Sequence, residues 1–166
     1  MNCPVCGYEN LQGVDNCENC GADLRTVDIP QPGNDLEARL VREHLDVVGA
    51  AEPIVLPPDS PVSEAIRRMQ DARNGCVVVV DGDRLVGVFT ERDAVMKVAG
   101  RSLDGVQLGD VMTADPVVLR PEDSVAVAIH KMAVGGFRHI PLVADGRPLS
   151  VATARDVLRH VDHLLG

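Results

Sequence analysis

The chain has 166 residues, a formal net charge of −9 at pH 7 and 45% hydrophobic residues, enough apolar content for one ordinary domain or two small ones. The acidic balance, with one Tyr, two Phe and no Trp, disfavours nucleic-acid binding, which needs basic surfaces and stacking aromatic rings. No apolar run approaches the roughly 18 residues of a membrane span, and the N-terminus lacks a charged and apolar signal segment. We therefore expect a soluble cytoplasmic protein that makes no membrane contact.

The first 24 residues contain two Cys-x-x-Cys pairs, each followed by a glycine that permits a sharp turn. Two such pairs facing one another supply four thiolates in the tetrahedral arrangement that zinc prefers. A redox dithiol is the competing interpretation, but it needs one pair beside a βαβ unit and not two pairs on a short segment. We predict a structural zinc site whose ligands are Cys3, Cys6, Cys17 and Cys20.

Residues 1–24 resemble the short zinc ribbons found at the ends of many bacterial and archaeal proteins. The segment carries four acidic residues and no Lys or Arg, so the electrostatics disfavour phosphate binding. Four protein ligands also leave no open position on the metal for catalysis. We expect this module to have a structural or protein-contact role.

Residues 25–34 contain two prolines and a glycine and are predicted to form a linker. Asn34 then caps a helix, with Glu37 as its capping-box partner. The helix carries one apolar stripe, formed by Leu36, Leu40, Val41, Leu45 and Val48. We assign 35–52 to this helix and its connection, and we expect it to pack on the domain that follows.

The remaining chain contains an internal duplication, because residues 53–98 align without gaps on 116–161. The alignment places Pro53 on Pro116 and Met69 on Met132, and the sequence Thr-x-Arg-Asp occurs at the same point of both copies. Identities in equivalent positions over so long a stretch indicate duplication. We divide this region into a first repeat at 53–100, an inter-repeat linker at 101–115 and a second repeat at 116–166.

Both copies predict the same β-α-β-β-α order of elements, which gives an α/β fold of two units related by a pseudo-twofold axis. The predicted elements of the first and second copy are extended segments at 53–56 and 116–119, helices at about 61–72 and 124–133, strands at 76–80 and 139–143, second strands at 85–89 and 149–152, and final helices after Thr90 and Thr153.

The Thr-x-Arg-Asp sequence stands where a strand enters a helix, so unpaired backbone N–H groups there favour an anion. A Thr hydroxyl can donate to a phosphate, and an Asp carboxylate can accept hydrogen bonds from sugar hydroxyls. The same spacing also fits a capping box that only closes the helix end. The presence of two copies in register favours a binding site.

Several sequence motifs of the duplicated region resemble those of a cystathionine β-synthase (CBS) domain pair, also called a Bateman module, and the match covers about residues 36–165. The motifs are Gly-Val-Phe-Thr-Glu-Arg-Asp at 87–93, Asp-Val-Met-Thr-Ala-Asp-Pro-Val at 110–117, Pro-Glu-Asp-Ser-Val at 121–125 and Gly-Phe-Arg-His-Ile-Pro-Leu-Val at 136–143. The resemblance implies a pair of packed domains with two clefts for adenosine nucleotides such as AMP, ADP or ATP. It also implies a homodimer.

By this resemblance, Asp93 and Asp156 would bind ribose hydroxyls, and Thr90 and Thr153 would hold phosphate. The adenine would be walled by Ile54, Val55, Leu56, Cys76 and Val77 in the first cleft and by Val117, Val118, Leu119, His139 and Ile140 in the second. The basic side chains that could neutralise phosphate are Arg92, Arg138, His139 and Arg155, with solvated surface arginines as the alternative for Arg92 and Arg155. The first cleft is favoured, because Ser150 replaces the usual glycine in the second.

The leading hypothesis is a non-catalytic regulatory module that binds an adenosine nucleotide and signals to a protein partner not identified by the sequence. One alternative is a constitutive scaffold protein with empty clefts, and another is a nucleic-acid-associated regulator that acts through the zinc ribbon. An enzyme is disfavoured, because the motif residues contain no nucleophile–base pair and no open metal site. S-adenosylmethionine or a dinucleotide could replace AMP or ATP. Cys76 is expected to be a small buried hydrophobic residue.

Overall fold

The structure is a computed structural model that describes residues 2–10, 14–24, 33–48, 52–100 and 102–165. Of the predicted linker at 25–34, only the last two positions fall within these ranges. The helices are α1 Asp35–Arg42, α2 Val62–Ala72, α3 Glu91–Asp93, α4 Leu108–Val111, α5 Val125–Gly135 and α6 Ala154–Leu165, with a 3₁₀ helix at Leu45–Val48 and a π-helical segment at Ala94–Val98. The strands are β1 Ile54–Leu56, β2 Cys76–Asp81, β3 Arg84–Thr90, β4 Thr113–Ala114, β5 His139–Ala144 and β6 Arg147–Thr153. No helix among the described ranges has the length and apolar character needed to cross a membrane.

The chain divides into two compact units. Unit 1 contains residues 1–49, 122–138 and 153–166, so it includes the cysteine-rich N-terminus and helices α1, α5 and α6. Unit 2 contains residues 50–121 and 139–152 and therefore most of the β-structure.

In unit 1, the described residues at 2–10 and 14–24 form what we call the cysteine module. It consists of two similar turns, each closed by a short antiparallel bridge, Asn2 with Glu9 and Asn16 with Asp23. The glycine after each second cysteine has a positive φ, 73° at Gly7 and 70° at Gly21. This left-handed conformation favours glycine and confirms the turns predicted from the sequence.

Helix α1 starts as predicted, because the Asn34 side chain accepts a hydrogen bond from the Glu37 N–H at 2.9 Å. The prediction that the helix continues to Val48 is wrong, since α1 ends at Arg42 and Glu43 is extended. The Glu43 carbonyl instead accepts a hydrogen bond from the Val125 N–H at 2.9 Å. The buried residues Leu45 and Val48 lie in the following 3₁₀ helix, so they still contribute to the interior.

Unit 2 is built on a four-stranded sheet in the order β1-β2-β3-β4. Strand β1 is parallel to β2, while β3 is antiparallel to both β2 and β4. The first five residues of β2, Cys76 to Val80, are all buried, as the continuous apolar sequence predicts for a strand covered on both faces. Val77 and Val79 pack with Leu56 and Phe89, while Cys76 packs on the opposite face in a separate apolar cluster.

The two repeats differ where the sequences depart from one another. The extended segment predicted at 116–119 forms only one parallel bridge, between Leu119 and Leu142. The Leu119 N–H donates to the Pro141 carbonyl at 3.0 Å, and the Val143 N–H donates to the Leu119 carbonyl at 2.8 Å. The next bond of this ladder would come from the backbone N–H of residue 141, which proline lacks. In the first repeat Val78 occupies this position, and β1 forms a strand of three residues.

The segment predicted as an inter-repeat linker, 101–115, contains helix α4 and strand β4. Strand β4 pairs with β3, placing Ala114 opposite Gly87 and Thr113 opposite Val88. The first repeat therefore has an additional edge strand that the repeat pattern does not predict.

Candidate functional site

The first candidate site is the cluster of Cys3, Cys6, Cys17 and Cys20, whose sulfur atoms all lie within 4.8 Å of one another. The Sγ atoms of Cys3 and Cys20 are 3.7 Å apart, and those of Cys6 and Cys17 are 3.6 Å apart. Tetrahedral zinc with zinc–sulfur bonds of about 2.3 Å requires sulfur–sulfur distances of about 3.8 Å. The cysteine cluster therefore fits the geometry of a four-thiolate zinc site.

Hydrogen-bond donors surround these sulfur atoms. The Asn10 side-chain amide lies 3.6 Å from the Cys17 sulfur, and the Asn19 amide lies 3.6 Å from the Cys6 sulfur. Burial acts to raise the pKa of the Cys17 thiol, but backbone N–H groups and the Asn10 amide outweigh it and lower that pKa to about 6. Such donors stabilise thiolates and orient them, as the residues around structural metal ions commonly do.

The four thiols do not ionise independently. The Ala22 N–H acts to lower the pKa of the Cys20 thiol, but the neighbouring cysteine sulfurs and burial raise it to about 12. Four thiolates so close together repel one another, and a bound divalent cation removes this penalty. The donor set, its geometry and its electrostatics all fit zinc, which would hold the two turns of the cysteine module together.

The second candidate site lies in unit 2, at the end of the sheet where β3 passes into α3. Strand register places Thr90 opposite Cys76 and Ile54 beside Val77, so these residues share one end of the sheet. The Asp93 Oδ2 atom accepts hydrogen bonds from the Thr90 hydroxyl at 2.7 Å and from the Thr90 N–H at 2.9 Å. The Thr-x-x-Asp spacing thus forms a complete capping box, one of the two interpretations left open by the sequence.

The other carboxylate oxygen of Asp93 is also occupied. Its Oδ1 atom accepts a hydrogen bond from the Thr113 hydroxyl at 3.0 Å and forms an ion pair with the Lys97 ammonium at 2.7 Å. Burial acts to raise the pKa of Asp93, but Lys97, Thr90 and Thr113 outweigh it and hold the pKa below its usual value. Asp93 is therefore an ionised carboxylate that is 8% exposed and receives four hydrogen bonds.

Most side chains predicted to wall the first cleft are buried in unit 2. Leu56 and Val77 belong to one apolar cluster and Cys76 to another, while Val55 is 43% exposed. Burial raises the pKa of the Cys76 thiol to about 12, with a further contribution from the Asp93 charge. This confirms that Cys76 is a small buried hydrophobic residue. Because these side chains are buried, a ligand at this end of the sheet would contact mainly the backbone and the edges of the side chains. The Arg92 side chain is exposed to solvent.

The corresponding turn of the second repeat lies in unit 1. The Thr153 hydroxyl donates to the Asp156 Oδ2 atom at 2.5 Å, and the Asp156 N–H donates back to the Thr153 hydroxyl at 3.1 Å. Asp156 also pairs with the exposed Arg159 at 3.3 Å. Arg138 and Arg155 are exposed in the same unit. The wall residues predicted for this cleft, Val117, Val118, Leu119, His139 and Ile140, belong to unit 2.

The sequence did not identify Lys97, Thr113 or Met112 as neighbours of the Asp93 turn. Lys97 follows Asp93 by four residues, a helical spacing that favours an ion pair and was available as a signal. Thr113 and Met112 reach the turn through the pairing of β4 with β3, which no local pattern indicates. On α6, the His160 Nε2 atom lies 2.5 Å from a Glu43 carboxylate oxygen.

Comparisons with known proteins identify the duplicated region. The sequence model of the CBS domain matches residues 46–100 and 108–163. The mitochondrial CBS domain-containing protein CBSX3 of Arabidopsis thaliana is 34% identical over 112 residues, which cover 63% of this chain and 54% of CBSX3. A 17.7 kDa protein of Acidianus ambivalens is 32% identical over 63% of this chain and 65% of its own length. The chain therefore spans less than two thirds of the length of these relatives.

Solved structures have the same fold. A CBS-domain-containing protein from Agrobacterium tumefaciens superposes with a TM-score of 0.64 at 28% identity, over 71% of this chain and 98% of its own. The CBS domain pair of protein MJ0100, solved in complex with 5′-methylthioadenosine and S-adenosyl-L-methionine, superposes with a TM-score of 0.67 at 19% identity. That match covers 74% of this chain and 98% of the MJ0100 chain.

Proposed function

Because the chain belongs to the CBS-domain family, with two copies of the domain in tandem, we propose that it is a non-catalytic regulatory module that binds an adenosine nucleotide and signals to a protein partner. AMP, ADP, ATP and S-adenosylmethionine are the ligands to consider, since one structural neighbour holds adenosine-containing ligands. Signalling requires that the nucleotide bind two conformations or two assembly states of the protein with different affinities. A homodimer is part of this proposal.

The observation that carries the proposal is the recurrence of one turn in both repeats. In each, a Thr at the end of a strand donates its hydroxyl to the Asp three residues later, at 2.7 Å for Asp93 and 2.5 Å for Asp156. The carboxylates are the proposed acceptors for ribose hydroxyls. The Thr hydroxyls already donate their single proton to these carboxylates, so Thr90 and Thr153 are proposed to hold phosphate through the backbone N–H groups that follow them. Arg92 and Arg155 are exposed beside these turns and supply the positive charge that a protein of net charge −9 needs near phosphate.

The cysteine module is proposed as a separate structural element that holds one zinc ion. Its acidic surface argues against a role in nucleic-acid binding. Together with the proposed linker at 25–34, it precedes the CBS repeats that we place at 53–100 and 116–166. The family proteins named above carry no enzyme name, which agrees with a regulatory role.

The scaffold alternative has one observation in its favour. The Asp93 carboxylate already receives four hydrogen bonds within unit 2, as expected for a residue that only stabilises the start of a helix. Under this alternative, substitution of Asp93 changes stability and no ligand affinity is lost.

Isothermal titration calorimetry of the zinc-loaded protein with AMP, ADP, ATP and S-adenosylmethionine separates the two functions. The Asp93→Asn and Asp156→Asn variants keep the side-chain shape and remove the charge, so they test ribose binding with less disruption than alanine. Saturation at about 100 times the dissociation constant adds roughly 2.7 kcal/mol of stability, which appears as a rise in melting temperature.

Binding that weakens in one Asn variant supports the nucleotide-sensing function and assigns the ligand to a cleft. No heat and no melting shift with any of the four ligands, from a folded protein, would support the scaffold function. Circular dichroism of each variant provides the folding control.

A further inference from the structure

Lys97 makes contacts that a simple helix cap does not need. Its ammonium pairs with the Asp93 Oδ1 atom at 2.7 Å and also donates to the backbone carbonyls of Val111 at 2.8 Å and Met112 at 3.3 Å. The same ammonium lies 3.4 Å from the Thr113 hydroxyl, which itself donates to Asp93. One side chain therefore joins the Asp93 turn to the segment between the two repeats.

The contacts of Asp93 divide between its two oxygen atoms. Oδ2 receives both donors from Thr90, which form the helix cap, whereas Oδ1 receives Lys97 and Thr113. A carboxylate offers about four acceptor positions, so a ribose hydroxyl can bind Asp93 only if one of these donors leaves. The Oδ1 donors are the ones that can leave without opening the cap. Lys97 is also the more accessible of the ion pair, with 40% of its side chain exposed against 10% for Asp93.

The second repeat lacks this arrangement. The residue equivalent to Lys97 is His160, which contacts Glu43 and not Asp156. Among the described residues, the donors to the Asp156 carboxylate are Thr153 and the exposed Arg159. An ammonium paired with the Asp of this turn is thus particular to the first repeat among the described residues.

The π-helical segment at Ala94–Val98 contains Lys97. Its closing hydrogen bond runs from the Ala99 N–H to the Ala94 carbonyl at 2.9 Å. Such segments are uncommon and occur frequently at functional sites. The second repeat continues as the regular helix α6 at the equivalent place.

We propose that Lys97 and Thr113 form an internal latch that competes with the ribose of a nucleotide for the Asp93 Oδ1 atom, so that nucleotide binding releases the segment from Val111 to Thr113. This inference rests on the proposed nucleotide-binding function. It identifies the inter-repeat segment as the element that responds to the ligand. It also makes the Asp93 cleft a regulated site, because each binding event must overcome the contacts that close it.

The test uses the Lys97→Met and Thr113→Val variants in an Asp156→Asn background, so that only the Asp93 cleft is measured. Calorimetry is performed with AMP and also with adenosine, which has no phosphate and so reports the ribose contact apart from the charge of the ligand. Arg68→Met is the matched control. It removes one positive charge from unit 2 at an exposed pair with Glu64, on helix α2.

We expect Lys97→Met to bind adenosine and AMP at least about fivefold more tightly than its parent, the lower end of typical coupling between sites. Thr113→Val is expected to change affinity in the same direction, while Arg68→Met leaves it unchanged. In the parent protein, AMP should also increase amide hydrogen exchange at 108–114. Ligand-free Lys97→Met should already show this increase.

Equal or weaker adenosine binding by Lys97→Met would overturn the latch and leave the nucleotide-binding function intact. Weaker binding of AMP alone would assign Lys97 to the phosphate and would also overturn it. If neither the parent nor any variant binds, the proposed function of this cleft fails, and the latch fails with it because there is nothing to compete for Asp93.

Discussion

Lys131 of helix α5 forms an ion pair with Asp15 of the cysteine module, although its side chain is only 9% exposed. An ammonium at such depth is tolerated when a carboxylate and further acceptors replace its water. Both residues belong to unit 1, so the pair attaches the cysteine module to a helix of the second repeat. Asp15 is two residues before Cys17, one of the four clustered cysteines, so we expect a metal bound by that cluster to order this contact.

The first prediction concerns the strength of this ion pair. Asp15→Asn leaves a buried ammonium with a neutral partner and is expected to lower the free energy of unfolding by about 1–3 kcal/mol. Lys131→Met fills a similar volume without charge and is expected to cost less. Urea unfolding of the two single variants and the double variant measures a coupling energy, expected to be about 1 kcal/mol.

The exposed pair of Arg68 and Glu64 on α2 provides the matched control for this cycle. Its coupling energy is expected to be below about 0.5 kcal/mol, since solvent screens exposed pairs on a helix. A coupling energy for Asp15 and Lys131 no larger than that of the control would contradict attachment through this pair.

The second prediction concerns zinc. One zinc ion per chain is expected by elemental analysis, and Cys17→Ser is expected to lose it because three thiolates bind zinc far less tightly than four. Cys76→Ser provides the control, since this cysteine lies in unit 2 and should leave the zinc content unchanged. Removal of zinc with a chelator should increase amide hydrogen exchange around Lys131. Full zinc content in Cys17→Ser would refute the assigned ligand set.

The sequence predicted most local features because each depended on residues close together in the chain. The two Cys-x-x-Cys turns, the Asn34 cap and the buried β2 strand follow from spacing and propensity alone. The duplication supplied the order of elements in each repeat. Fold class followed from the same repeat.

Features that depend on distant residues were not predictable in this way. Strand β4 pairs with β3 across more than twenty residues, and that pairing brings Thr113 to Asp93. The predicted extended segment at 116–119 forms only one bridge, because its partner residue Pro141 has no backbone N–H. This could not be predicted without knowing which residues pair with the segment. The early end of α1 likewise depends on a hydrogen bond to Val125.

A third prediction concerns the reactivity of Cys76. Its pKa of about 12 leaves little thiolate at neutral pH, and complete burial excludes a reagent from the sulfur. In the zinc-loaded native protein, Ellman's reagent at pH 8 should therefore leave Cys76 unmodified, whereas denaturation should expose it. Peptide mapping by mass spectrometry identifies the modified residue, and Cys76→Ala gives the background. Rapid native modification of Cys76 would show that β2 is not buried on both faces.

The pH dependence of stability provides a fourth prediction. The folded pKa of Asp93 lies below its unfolded value of about 3.9, so its stabilising contribution is fully present above that value and is lost as pH falls through the folded pKa. Asp93→Asn is expected to cost about 1–3 kcal/mol at pH 7, and this cost should shrink below about pH 4. Urea midpoints of wild type and variant between pH 7 and pH 3 measure the difference. Asp83→Asn, at an exposed pair with Arg147, should cost little at any pH.

The fifth prediction concerns the close approach of β3 and the inter-repeat segment. A Cβ atom at Gly87 would clash with the Met112 sulfur and lie 3.1 Å from the Thr113 carbonyl oxygen, so Gly87→Ala must move the Met112 side chain and shift the Thr113 carbonyl slightly. We expect a loss of about 1–3 kcal/mol in the free energy of unfolding. Met112→Ala removes the nearer obstacle, so Gly87→Ala should cost less in that background, although the carbonyl contact remains. Chemical denaturation of both pairs of proteins measures this difference, and an equal cost in the two backgrounds would show that Met112 does not pack on Gly87.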